Sequence, residues 1–227
     1  MNGRSLIAQL RRITSVPLTC SFNWWVALHH QFRGLLRVVR WLRGEDDLLR
    51  SLLRRHGYRV EFDPGAERRI ATNAFWEYPD WADRLDWLGI TFYFPLASEP
   101  SPSLELLRER WHRYPIPTPL GTLSAHYVES LQDWAERFQK PLLFTEGGWG
   151  KWKGAAAYPA NWHASAAGTD LALQARCYEA FFQEAAPLAM GMFFWDWAEP
   201  GFSPAGGPAE AVIRQYFGVQ AADPLSY

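Results

Sequence analysis

The sequence predicts an α/β fold with a parallel sheet, and three observations lead to it. Four short apolar runs are nearly continuous instead of alternating, the pattern of strands covered on both faces. Stretches with helical periodicity separate them, which argues for right-handed crossovers between parallel strands. The end of each run carries an aromatic residue, and three of the ends also carry a polar group, so the chemistry gathers at one edge of the sheet.

The elements follow in order. Ser5 to Ile13 has helical spacing and precedes the first strand, Pro17 to Phe22 (PLTCSF). Val26 to His56 is apolar at helical spacing and rich in Arg, with Gly44 and Glu45-Asp46-Asp47 suggesting a break between two helices. It reads either as an inserted helical pair over the wall of the fold or as a basic amphipathic face for a membrane surface or partner. The insertion with its trailing loop is placed at 26–73 within one domain spanning 1–227. Trp87 to Phe94 (WLGITFYF) is the second strand, Pro141 to Glu146 (PLLFTE) the third and Met190 to Asp196 (MGMFFWD) the fourth. Helices are expected at Leu104 to Arg113, Leu123 to Phe138, Asp170 to Ala186 and Ala209 to Phe217, with Ser124 and Thr169 as N-cap candidates.

Composition narrows the function. The chain has 227 residues and a formal net charge of -1, which gives no electrostatic pull toward nucleic acid. Cys20 and Cys177 are too few for a disulfide framework and lack metal-ligand spacing. The His residues form no HExxH pattern, no Ser sits in a GxSxG elbow, and no phosphate-binding glycine loop is present. No metal or other cofactor is therefore expected. No signal peptide is visible and no segment is long and apolar enough to span a membrane, so the chain reads as soluble with its localisation open. The 13 Trp residues exceed what a core of this size needs. Indoles offer flat apolar faces suited to sugar rings, so carbohydrate is the favoured ligand class.

The strand ends carry the candidate site. Glu146 follows PLLFT directly and precedes Gly147-Gly148, which permit a tight turn and close approach of a ligand. It is the candidate catalytic carboxylate; a strand-end Glu paired with an Arg is the alternative. Tyr93 could hydrogen-bond that carboxylate and hold it ionised. Asn23 could bond sugar hydroxyls or shape its turn. Trp195 is placed as the floor of a sugar subsite, with Trp24, Trp149, Trp152 and Trp197 as further stacking candidates.

At these strand ends the sequence resembles glycoside hydrolase family 113, barrel enzymes that include endo-β-1,4-mannanases. The segments are VPLTCSFNWW (Val16 to Trp25), LDWLGITFYFPL (Leu85 to Leu96), KPLLFTEGGW (Lys140 to Trp149), QARCYEAFF (Gln174 to Phe182), GMFFWDW (Gly191 to Trp197) and FSPAGGPAEAVIRQYF (Phe202 to Phe217). The resemblance implies a partial (β/α)8 TIM barrel, roughly strands five to eight, acting on a β-mannan-like polysaccharide with retention. It makes Glu146 the nucleophile that closes strand seven, and it places the acid/base glutamate at the end of strand four.

Only 16 residues precede the first recognisable strand at Pro17, and a whole barrel takes ~250. Strands one to four, and the proton donor with them, are therefore expected to lie outside this chain. Asp196 and Glu199 are the internal substitutes. The expected partners are a carbohydrate substrate and either a missing barrel half or a second copy. A non-catalytic, sugar-binding half-barrel is the competing reading.

Overall fold

The computed structural model describes residues 3–23, 82–118, 121–160 and 168–218. The expected insertion at 26–73 and Trp24 lie outside the described residues. Helix α1 (Gly3–Ile13) leads into β1 (Thr19–Asn23), and β2 (Trp87–Thr91), α2 (Leu104–His112), β3 (Tyr114–Thr118) and β4 (Gly121–Ala125) follow. The chain continues through α3 (Tyr127–Phe138), β5 (Leu142–Glu146), α4 (Leu171–Glu184), β6 (Ala189–Met192) and α5 (Pro208–Phe217).

Strands β1, β2, β5 and β6 form one sheet in that order, and every neighbouring pair is parallel. This is a partial α/β barrel. Its two faces differ. Leu88, Ile90, Phe92 and Phe94 alternate onto the helix-covered side, where all are fully buried, together with Leu142 and Phe144. The other face is more polar: Ser21 and Thr145 sit there with their hydroxyl oxygens 2.6 Å apart. Gly89 lies between them, and a Cβ there would stand 2.8 Å from the Thr145 methyl and 2.7 Å from the Cys20 carbonyl oxygen.

The helix-side core is aromatic. Phe92 stacks on Phe181 of α4 with centroids 4.7 Å apart and an interplanar angle of 12°, and Phe144 meets Phe181 edge-on at 5.3 Å. Trp111 of α2 and Tyr127 of α3 extend this cluster through Phe94, which lies 5.0 Å from one ring and 4.8 Å from the other. Helix α4 thus covers the centre of the sheet and packs against both α2 and α5. At the sheet's start, the Asp86 carboxylate accepts from Leu18 N at 2.6 Å and from the Arg11 guanidinium. That fixes α1 to the entry of β2, and the same two hydrogen bonds, Leu18 first, hold the Asp86 carboxyl below its usual value.

Three expectations need correction. Residues 123–125 are not the first turn of a helix. They belong to β4, which pairs antiparallel with β3 in a separate ribbon. Pro115 and Pro117 hold β3 extended, and Gly121 and Thr122 are poor helix formers, so α3 begins only at Tyr127. Ser124 is therefore a strand residue, and His126 takes the N-cap position. For α4 the cap is Asp170, not Thr169: its Oδ1 accepts from Leu173 N at 2.8 Å. The second and fourth strands are also shorter than the apolar runs that announce them, ending at Thr91 and Met192.

Candidate active site

Glu146 is the last residue of β5, and its direction depends on an irregularity in register. Ile90 pairs with Phe144, but the next partner of β2, Thr91, pairs with Glu146, so Thr145 is an extra residue on β5. In a regular strand Phe144 and Glu146 would share the helix-covered face. The bulge cancels that alternation and brings Glu146 onto the face that carries Tyr93. There the Tyr93 hydroxyl donates to Glu146 Oε1 at 2.8 Å. Burial pushes the Tyr93 phenol well above its usual value, and the bond to Glu146 adds to the shift. The phenol is thus a donor throughout the ordinary pH range.

The turn after Glu146 needs glycine. A Cβ on Gly147 would fall 2.5 Å from the Phe92 ring, which is itself locked in the core. The Gly147 carbonyl accepts from Trp195 N at 2.7 Å, and Phe144 O accepts from Phe193 N at 2.8 Å. The segment after β6 is thereby held alongside the end of β5 as far as Trp195. The peptide bond between Trp195 and Asp196 is cis.

Tyr93 and Trp195 both pack on a small second cluster made of Trp152, Ala155 and Phe202. Trp152 meets Phe202 edge-on at 5.0 Å. The Tyr93 and Trp195 side chains therefore stand on an apolar platform built from the loops that follow β5 and β6. Asn23 closes β1 with its Cα paired to Thr91 of β2, which in turn pairs with Glu146, so Asn23 lies two strands from Glu146.

A sequence model of Glycoside Hydrolase Family 113 matches residues 74–211. The chain belongs to this family. Among solved structures it is similar to a GH113 β-1,4-mannanase, with 17% identity and a TM-score of 0.53. It is also similar to the GH113 β-mannanase AaManA from Alicyclobacillus acidocaldarius in complex with ManMIm, with 20% identity and a TM-score of 0.52. In both cases 96% of this chain is covered against 50% of the other, so this family 113 chain spans about half the length of the solved structures it matches. No curated protein matches it.

The family 113 chain distributes its tryptophans unevenly. Trp149, expected as a stacking surface, is fully buried: its ring lies 5.5 Å from Tyr178 and 5.9 Å from Phe181, with no face left for a sugar. Trp152 is almost as deeply buried and supports Tyr93 and Trp195 from below. Trp195 is half-buried and Trp197 is exposed. The two internal acid candidates are engaged elsewhere. Asp196 Oδ1 accepts from the backbone N–H groups of Ala198 and Glu199, and Glu199 Oε2 accepts from Phe202 N at 2.9 Å. Each holds its own turn. Among the described residues no group of three His, Cys, Asp or Glu side chains is placed to hold a metal. No described helix is long and apolar enough to cross a membrane.

One residue of the site escaped the sequence reading. Gln174, on α4, is fully buried and donates both amide hydrogens, to Trp149 O at 2.8 Å and to Phe202 O at 2.7 Å. The signal was present. Gln174 lies one turn from Tyr178 and two turns from Phe181, a polar residue on the apolar face of its helix.

Proposed function

We propose that this family 113 chain carries the nucleophile side of a retaining glycoside hydrolase acting on β-linked, mannan-like polysaccharide. The observation that supports it most is the Tyr93–Glu146 hydrogen bond at the mouth-side end of the sheet. A carboxylate that accepts a hydrogen bond from a buried phenol is aimed to attack an anomeric carbon. Attack forms a covalent glycosyl ester on Glu146 and releases the aglycone oxygen with its electron pair; water then cleaves the ester. Trp195 and Trp197, with Asn23 and Trp24, are assigned to the sugar.

Retention requires a second carboxyl group ~5–5.5 Å from the first, protonated so that it can donate to the leaving oxygen. Asp196 and Glu199 are committed to backbone N–H groups. The proton donor is therefore assigned to a complementary set of strands, as the family resemblance implies. The outer edges of β1 and β6 have no partner among the described strands, which is where such strands would add. The complement is either a further barrel half or a second copy of this chain. Sedimentation should show the chain associating, and a well-behaved monomer at high concentration would speak against the second copy.

The test should not depend on the missing acid. Dinitrophenolate leaves without protonation, so a dinitrophenyl β-mannobioside asks only for the nucleophile. The chain should release one equivalent of dinitrophenolate per protein in a burst, and Glu146→Gln should abolish it. A sugar-binding half-barrel without catalytic function would bind mannooligosaccharide and give no burst.

A further inference from the structure

We infer that Gln174 is a positioning residue for the Glu146 site, clamping the loop after β5 to the loop after β6 from beneath. The inference rests on the reading of Glu146 as the nucleophile. Its basis is geometric. One side-chain nitrogen donates to two carbonyl oxygens, Trp149 O at 2.8 Å and Phe202 O at 2.7 Å. This arrangement fixes the orientation of the amide, because the flipped side chain would set its oxygen against two carbonyl oxygens.

Both carbonyls belong to segments that build the site. Trp149 lies three residues after Glu146, beyond the turn formed by Gly147 and Gly148. Phe202 carries the face on which Trp152 rests, and Tyr93 and Trp195 pack on that pair. The two loops also bond directly, Lys151 N to Gly201 O at 2.8 Å, and Asp170 N donates to Lys151 O at 2.6 Å just before α4 begins. Gln174 is anchored in turn: it lies on the helix whose Phe181 ring stacks on Phe92, at the centre of the core. The clamp thus refers both strand-end loops to the helix that packs on the centre of the core. A buried amide is a costly choice for a merely apolar position, and a leucine would fill much of the same space. What the leucine lacks is the two donors.

Gln174 acts through the backbone and touches no substrate atom, so its removal should slow the chemical step more than it weakens binding. The experiment uses the full chain and dinitrophenyl β-mannobioside. Gln174→Leu should lower the burst rate constant at saturation about tenfold, the scale of one lost hydrogen bond, while the half-saturating concentration changes little. Leu173→Ala is the control, since Leu173 is buried on the same helix and its side chain has no donor to offer either carbonyl. At equal loss of stability, Leu173→Ala should keep the wild-type burst rate. If Gln174→Leu does not fold, Gln174→Asn, which keeps an amide of shorter reach, is measured in the same way. An unchanged rate constant in the folded Gln174 variant, or a loss matched by Leu173→Ala, overturns the inference. A wild-type chain that binds the probe without a burst overturns the Glu146 reading, and this one with it.

Discussion

The Tyr93 hydroxyl donates to Glu146 Oε1 over 2.8 Å, joining a residue just past the end of β2 to the last residue of β5, 53 positions away. A hydrogen bond to a charged group is worth about 1.5–3 kcal/mol, or roughly 10- to 150-fold in rate if it is used in the transition state. Tyr93→Phe should slow the dinitrophenolate burst within that range and leave its stoichiometry at one per chain. The far-ultraviolet dichroism should be unchanged, because the ring still packs on Trp152 and Phe202. A wild-type burst rate in this variant would remove the phenol from the mechanism.

Gly147→Ala tests the turn that follows. The added Cβ would lie 2.5 Å from the ring of Phe92, which is fully buried and cannot retreat. Overpacking of this kind costs about 1–3 kcal/mol and should appear as a lower urea midpoint. The backbone shift needed to relieve it would also move Glu146, so activity should fall by more than the stability loss explains.

Trp149 distinguishes a core role from a sugar-binding one. Its ring is buried among Phe92, Trp111, Tyr178 and Phe181. Trp149→Ala should cost about 3–5 kcal/mol of folding stability, as truncation of large buried aromatics does. Trp149→Phe, which keeps an aromatic ring, should bind mannooligosaccharide with near wild-type affinity in a titration. A large affinity loss in a stably folded Trp149→Phe would return the residue to the cleft.

The outer helical layer should respond to pH through His112. Its Nε2 lies 2.9 Å from Glu184 and its Nδ1 3.4 Å from Glu129, while Arg108 also reaches Glu184. Helices α2, α3 and α4 meet in this network. The hydrogen bond to Glu184 raises the His112 pKa above 6.5. A raised folded-state pKa gives stability that is complete below the unfolded value and is lost as pH rises through the folded one. At Glu184 burial pushes upward, but the bonds from His112 and Arg108 outweigh it and the pKa is lowered. That contribution is present above the unfolded carboxylate value and is lost as pH falls through the depressed one. His112→Gln should flatten the fall in melting temperature between about pH 6 and 8, where an ordinary imidazole titrates. An unaltered slope would show the network to be energetically idle.

Much of the fold was legible because the four apolar runs are long enough, and apolar enough, to stand out. The parallel sheet, α2, α4, α5 and the direction of the strand ends all follow from that pattern. The β3–β4 ribbon was not legible, since Leu123 continues the periodicity of α3 by coincidence and the pairing with Tyr114 to Thr118 is a tertiary choice. In the candidate site, the Tyr93–Glu146 pairing could be anticipated from two adjacent strand ends. The bulge at Thr145 that makes it possible could not, because a register shift leaves no mark in the residues themselves. Burial separated Trp149 and Trp152 from Trp197, a distinction composition does not contain. Gln174 was visible as a polar residue on an apolar helical face, but its two acceptors are backbone carbonyls and carry no side-chain signature.

The central claim is that Glu146 forms the bond to sugar. A ring-fluorinated dinitrophenyl β-mannobioside should glycosylate the chain once, with loss of dinitrophenolate, since fluorine slows hydrolysis of the resulting ester. Peptide mapping by mass spectrometry should then locate the added sugar on Glu146, within residues 141–150. A label on another carboxylate, or no label on a folded chain that binds the probe, would contradict the account.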